Sequence, residues 1–505
     1  MNRRQFLGSL IAGVGATTLN TSTLGAALAA LPRGAFAPVL QAGDRDRVIH
    51  AITRLSYGVT PALYRHVQQI GAQSFIDEQL NPELIDDSVV NAVVQPLAPI
   101  LTENGGILFR QLENRRGEVS VALVGNMATR AVDSQRQLFE RMVQFWGDHF
   151  SVYAGKGPVL FLKVDDDRDV IRPKALGTFR ELLGASAHSP AMLIYLDNAQ
   201  NERSAPNENY ARELLELHTL GVAGGYDEDD VKEVARAFTG WSVSGRGQQN
   251  DGRIDYIFRR LFHDNEEKIV LDTVIPAGGG EQDGELVLDV IAAHPSTARF
   301  MATKLARRFV ADQPPASLVE QVAATFSASN GDIRATLRTL FNADEFWNAP
   351  PKFKQPYEYA ISLMRALNYH VQLPEGLVRG LRDPLDALGN IPFTWPAPNG
   401  FPDVAGAWQN GLITRWNMAI GASSGEIQGA TTDSEGLLAL WNDNGVPFET
   451  EAVIDFSAGY LFGRPLTSEE RAVALDFATA TTTDVSEQIR SALALLLASP
   501  AFQYR

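Results

Sequence analysis

The chain has 505 residues, 45% hydrophobic and 21% charged, with 42 glycines, 26 prolines and no cysteine. Such a composition suits a folded protein with a sizeable core, and the absence of thiols excludes disulfides, thiolate zinc sites, iron–sulfur clusters and cysteine nucleophiles. A net charge of −16 argues against nucleic acid as the main partner.

At the start, Arg3-Arg4 precedes an uncharged apolar stretch from Leu10 to Leu28. Ala26-Ala27-Leu28-Ala29-Ala30 then offers the short side chains that a signal peptidase cuts beside. This is the layout of a twin-arginine (Tat) export signal over residues 1–29, which places the mature protein in the periplasm or outside the cell. Gly13, Gly15, Asn20 and several threonines dilute the apolar run. It is therefore a poor permanent anchor, and no later segment predicts a stable membrane span. Tat cargo crosses folded, so a cofactor inserted before export is expected more than usual. A divalent or transition metal stays open; a cysteine-ligated cofactor does not.

Downstream, helical spacing dominates. Residues 47–56 open the mature chain, and Thr60-Pro61 reads as a cap with proline in the first helical turn. Apolar residues recur three and four apart over 132–150, 171–187, 190–196, 208–220 and 228–238. The same spacing returns over 298–310, 317–327, 333–341, 357–366, 452–461, 468–480 and 485–498. Only 255–258 and 268–271 read as strands. The expected fold is mainly α: one large helical domain over 30–505, with at most a small β-hairpin. Two glycine- or proline-rich stretches, 242–284 and 373–408, are expected to be irregular excursions packed on the body by their aromatic residues.

The densest polar patch lies on the predicted helix 208–220. Asn209, Glu213 and Glu216 fall at i, i+4 and i+7 and share one face, Glu208 sits in the first turn, and Arg212 is spaced to pair with Glu216. A short glycine turn leads to a second helix carrying Glu233 and Arg236, three apart, and makes the two helices antiparallel neighbours. Carboxylates, an amide and guanidinium groups gathered this way suit a hard cation or acid–base work; the same groups also build ion-pair networks between packed helices.

Eight histidines are present, none at the spacing of a helical zinc pair. His149 lies in the aromatic run Phe145-Trp146-Gly147-Asp148-His149-Phe150, His218 in the last turn of the polar helix, and His263 beside Asp264. A metal site would have to be assembled from distant segments, for example His149, Glu213 and His218 or His263. There is no nucleophile elbow, phosphate loop, dinucleotide fingerprint or calcium loop.

Taken together, these motifs resemble the bacterial domain-of-unknown-function 1800 family over nearly the whole mature chain. The resemblance rests on Arg54-Leu55-Ser56-Tyr57-Gly58 with Thr60-Pro61, the run Phe145 to Phe150, and Asn207 through Gly221. It also rests on Asp230-Val231 through Trp241, His263-Asp264 with Lys268, His294-Pro295 with Lys304-Leu305, Lys354 with Pro356, and Trp408 with Arg415 and Asn417. The sequence departs where Ile269-Val270-Leu271-Asp272 replaces the usual Leu-Gly and Asn399-Gly400-Phe401 the usual Gly-Trp. The resemblance implies an exported, helical protein, often encoded beside a second exported family; it brings no activity or catalytic residue.

Two functions fit. One is a periplasmic enzyme, metal- or cofactor-dependent, using the Glu, Arg and His cluster. The other is a non-catalytic envelope protein that binds a polysaccharide or a partner chain near Trp241, Trp395 and Trp408.

Overall fold

The apolar stripes predicted along the sequence become helices, capped where polar residues precede them. In this computed structural model, residues 21–29, 35–36, 46–244 and 251–505 are described. Thr60 accepts the N–H of Leu63 at the start of Pro61–Ile70. Thr467 and Glu470 close a reciprocal capping box on Ser468–Thr481, and Asp484 caps Val485–Ala498. One buried apolar cluster draws on residues from Leu24 to Phe502. The fold is mainly α-helical with long loops, and among the described residues no helix is long and apolar enough to cross a membrane.

Several predicted boundaries move for local reasons. The stretch read as one helix over 132–150 is two, Arg116–Asp133 and Gln137–His149. Between them the Ser134 hydroxyl donates to Asp87 and Arg136 donates to the carbonyl of Ile85, so the chain is held out of helix. The stretch 208–220 starts as an α-helix, Glu208–Glu213, and then widens into a π turn, Leu214–Thr219. The excursion at 373–408 contains a helix, Pro374–Ala387, despite Pro384 in its interior. Leu377, Leu381 and Leu385 bury one stripe of it, and that packing outweighs the proline.

Where at most a small hairpin was expected, the described residues hold three antiparallel pairs of three-residue strands, two of them between elements adjacent in chain order. Trp241–Val243 pairs with Tyr256–Phe258, and Lys268–Val270 with Thr273–Ile275. Tyr369–Val371 pairs with the distant Ala430–Thr432. The second hairpin turns on Leu271 and Asp272, both at positive φ (48° and 61°), the geometry of a tight two-residue turn. Asp230 accepts the N–H of Leu271 at 2.7 Å, fixing that turn to the helix Glu228–Ala237.

Residues 1–20 of the expected export signal lie outside the described residues. Its last part, Thr21–Ala29, is a helix packed on Leu412–Ser423, with Gly25 against the ring of Trp416.

Candidate functional site

The two polar helices do lie side by side, but their guanidinium groups find other partners than spacing implied. Arg212 grips both oxygens of Glu228 at 2.8 Å and reaches Glu208 at 3.2 Å, not Glu216. Arg236 binds Glu233 at 2.7 Å and Asp264 at 2.8 Å. The Asn209 amide donates to the carbonyl of Leu196. Glu213 and Glu216 make no ion pair among the described residues. Burial, reinforced by the neighbouring Glu216 charge, raises the Glu213 carboxyl. Asp227, Asp230, Glu233, Arg236, Glu267 and His294 face an open groove of about 690 Å³.

The three histidines separate. His149 and His218 sit 6.0 Å apart between ring centres. His263 belongs to its own fully buried cluster, where Asp283 meets both His263 (3.1 Å) and Lys268 (2.8 Å). Among the described residues no three His, Asp or Glu side chains are grouped to hold a metal ion. Trp241 is fully buried and Trp408 nearly so, with its indole N–H on the carbonyl of Pro402; Trp395 donates to Asn399.

A second arrangement is better formed. The end of Gln137–His149 supplies Phe145, Asp148 and His149. The helix Pro295–Phe309 supplies Phe300, Lys304, Arg307 and Arg308, one face at spacings of four, three and one. The loop 399–403 and Leu217 from the π turn complete a cavity of about 220 Å³. Gly400, at φ +69°, lets that loop approach closely: a Cβ there would lie 2.0 Å from the carbonyl oxygen of Asp148.

Inside the cavity the charges are unevenly matched. Lys304 Nζ donates to His149 Nδ1 at 2.8 Å, and His149 Nε2 donates to the carbonyl of His218 at 3.1 Å. A carbonyl only accepts, so Nε2 carries the proton and Nδ1 presents a lone pair to the lysine. Burial, then the Lys304 charge, keeps His149 neutral by holding its pKa well below the usual range. His218 is pulled down to about 3 by the same two causes, and its Nε2 has no partner among the described residues. Burial lowers Lys304 to about 8, against the pull of Asp148.

Asp148 is the exception. Its carboxylate makes no hydrogen bond or ion pair among the described residues, and burial raises it to about 7 although Arg308 opposes the shift. Asp403, across the cavity, is treated differently. Burial pushes its carboxyl up, but Lys352 at 3.1 Å and Arg308 at 3.8 Å win and hold it below its usual value. Behind this wall Glu358 takes Arg141 at 2.7 Å and Arg505 at 2.9 Å in the interior, which anchors the floor.

The family description that matches is "Protein of unknown function (DUF1800)", over residues 50–504. The chain belongs to the DUF1800 family. No curated protein and no solved structure matches it. Of the runs that carried the family resemblance, Phe145, Asp148, His149, Leu217 and Lys304 reach the cavity of this DUF1800 protein. Arg415 is an internal strut, bonded to Gln503 and the carbonyl of Lys354. Sequence reading singled out His149 but missed its neighbour Asp148, and treated Lys304 only as part of a motif. The available signal was a lone acid inside an aromatic run, a residue type that interiors admit only with a reason.

Proposed function

We propose that this protein is an exported acid–base enzyme acting on a small molecule in the cavity between Asp148, Lys304 and Asp403. The observation that carries the reading is the pairing, among the described residues, of a carboxylate without a hydrogen-bond or ion-pair partner, Asp148, with a lysine whose one hydrogen bond goes to a neutral imidazole, both facing the same concave space. Groups held near neutrality in this way accept and return protons with little driving force lost. Arg307 and Arg308 add positive charge to the wall, suited to a substrate or transition state that carries negative charge. The arginine-rich face of the two polar helices is then scaffold: Arg212 and Arg236 hold neighbouring segments together.

Export rests on the Arg3-Arg4 layout of the first 29 residues. Lysines at both positions are expected to stop periplasmic accumulation. A metal or organic cofactor inserted before export belongs to the same reading, with His149 and His218 the nearest imidazoles to the cavity. Elemental analysis and an absorption spectrum of the exported protein test for it.

The enzyme reading itself is tested by an infrared titration of buried carboxyl groups. A protonated-carboxyl band lost with a midpoint near pH 7, and missing in Asp148→Asn, is the expected result. An Asp148 that ionises in the ordinary carboxylate range overturns the assignment.

A further inference from the structure

Asp148 lines two spaces, not one. Adjoining the larger cavity is a chamber of about 20 Å³ lined by Gln144, Tyr357, Asn390, Phe401 and Asp167, the last held by Arg172 at 2.9 Å, with Asp148 and Phe401 shared between the two spaces. That volume admits one water molecule and no organic substrate. Gln144 and Asp148 are four residues apart on one helix and so present to the same side.

The chamber wall is polar in a specific way. The Tyr357 hydroxyl is buried and has no hydrogen-bond partner among the described residues. Burial raises its pKa well above the usual value, so it stays protonated and able to donate. The carbonyl oxygen of the Gln144 side chain is occupied by Tyr57 and Arg308, both at 2.9 Å. Asn390 accepts the backbone N–H of Tyr357 through its own oxygen at 2.9 Å. With their oxygens so occupied, both side chains present their NH₂ groups as the remaining polar atoms. A buried hydroxyl without a partner is costly, and a water-sized space that offers it, the Asp148 carboxylate and two amide groups as partners is one that water fills.

We infer that water is the co-substrate, held one molecule at a time beside Asp148, where the two spaces meet, by Tyr357 with the Gln144 and Asn390 amides, and that the enzyme is a hydrolase. This rests on Asp148 being the acid–base group of the larger cavity. In the reaction the Asp148 carboxylate takes a proton from the water as the water oxygen bonds to the electrophilic carbon or phosphorus of the substrate. The bond to the leaving group breaks, and that group leaves with a proton from the Lys304 ammonium. Asp148 then releases its proton to solvent and Lys304 regains one, so the net change is addition of one water across the broken bond. Tyr357 is a positioning residue: it acts through the water and touches no substrate.

The test is a crystal structure at neutral pH, together with the infrared titration of Asp148 in Tyr357→Phe. An ordered water bonded to both the Asp148 carboxylate and the Tyr357 hydroxyl is expected; a dry chamber, or one filled by a moved side chain, overturns the inference. Tyr357→Phe removes a hydroxyl with no partner among the described residues, so the fold should persist. Loss of the held water should raise the Asp148 midpoint, because the carboxylate loses a solvating donor. Arg308, Lys304, Lys163 and Asp403, the charges that act on Asp148, are untouched by that change. An unmoved midpoint near 7 defeats the water inference alone, whereas an ordinary carboxylate midpoint in the unsubstituted protein defeats the acid–base reading beneath it.

Discussion

Lys304 gives a hydrogen bond to Nδ1 of His149 at 2.8 Å, and the imidazole it meets is neutral. An ammonium in a cavity wall would ordinarily be matched by a carboxylate; here a lone pair takes that role and leaves the charge uncompensated. The two titrations are linked as a result. In Lys304→Met the second cause of the depressed His149 pKa disappears, so the His149 titration should move upward, read from the ring proton shifts by NMR. The same variant should be more stable than the parent at pH 7 by about 1–3 kcal/mol, because Lys304 loses protons near 8 when folded and near 10.4 when unfolded. The advantage should vanish above the unfolded value, where the lysine is neutral in both states.

Asp148 gives the opposite slope. Its carboxyl ionises near 7 in the folded chain and near 3.9 when unfolded, so between these values the native state holds a proton that the unfolded state has lost. Raising the pH through that window therefore favours unfolding. Asp148→Asn should match the parent near pH 4 and exceed it by about 2–4 kcal/mol at pH 8. Chemical denaturation at a series of pH values measures the difference; a pH-independent gap refutes it.

Glu358 is the counterweight to two buried guanidinium groups. Burial opposes its charge, but Arg505 and then Arg141 overcome that and hold the carboxyl far below its usual range. Arg505 Nε lies 2.9 Å away as a charge contact, without the alignment of a hydrogen bond. Glu358→Gln leaves both cations unmatched in the interior and should cost about 3–5 kcal/mol at neutral pH. A denaturation midpoint within error of the parent contradicts this.

The exposed arginine offers a contrast. Arg212 holds Glu228 and Glu208 with over a third of its side chain in water, so Arg212→Ala should cost less than about 1 kcal/mol. Glu213→Gln, at a half-buried acid without an ion pair, should leave the fold intact and slightly stabilised. Loss of activity or metal content in that variant would instead return the chemistry to the two polar helices.

Gly400→Ala places a methyl group 2.0 Å from the backbone of Asp148 at a positive φ. The loop 399–403 must lift, at a cost of about 1–3 kcal/mol, and the larger cavity should open. The melting temperature reads the first effect, and faster hydrogen exchange at Ala405, whose N–H is bonded to Asp312 at 2.7 Å, reads the second.

Much of the fold was legible because it is written locally. Thr467 with Glu470, and Asp484 before its helix, announce their helices within four residues. The pairing of Tyr369–Val371 with Ala430–Thr432 joins strands about sixty positions apart, and no periodicity within either strand names the other. The polar residues Asn209, Glu213 and Glu216 were expected on one face by α-helical spacing, which the π turn from Leu214 interrupts, and the partners of the neighbouring arginines, Glu228 and Asp264, were set by turns and a hairpin. The cavity was least legible. Asp148, Lys304 and Asp403 each look unremarkable alone, and only tertiary packing brings them to one space.

The π turn Leu214–Thr219 has a bearing on how this site could diversify. The N–H of Leu220 reaches back five residues to the carbonyl of Leu215, as in a helix carrying one surplus residue, and Gly221, at positive φ, closes the end by bonding the same carbonyl. Each helical residue advances the direction of its side chain by about 100°. A single-codon deletion here would restore the ordinary pitch and swing Leu217 out of the cavity wall, leaving Asp148 and Lys304 in place. One reading-frame step could thus enlarge the space available to substrate in a descendant while its proton-transfer groups stay as they are.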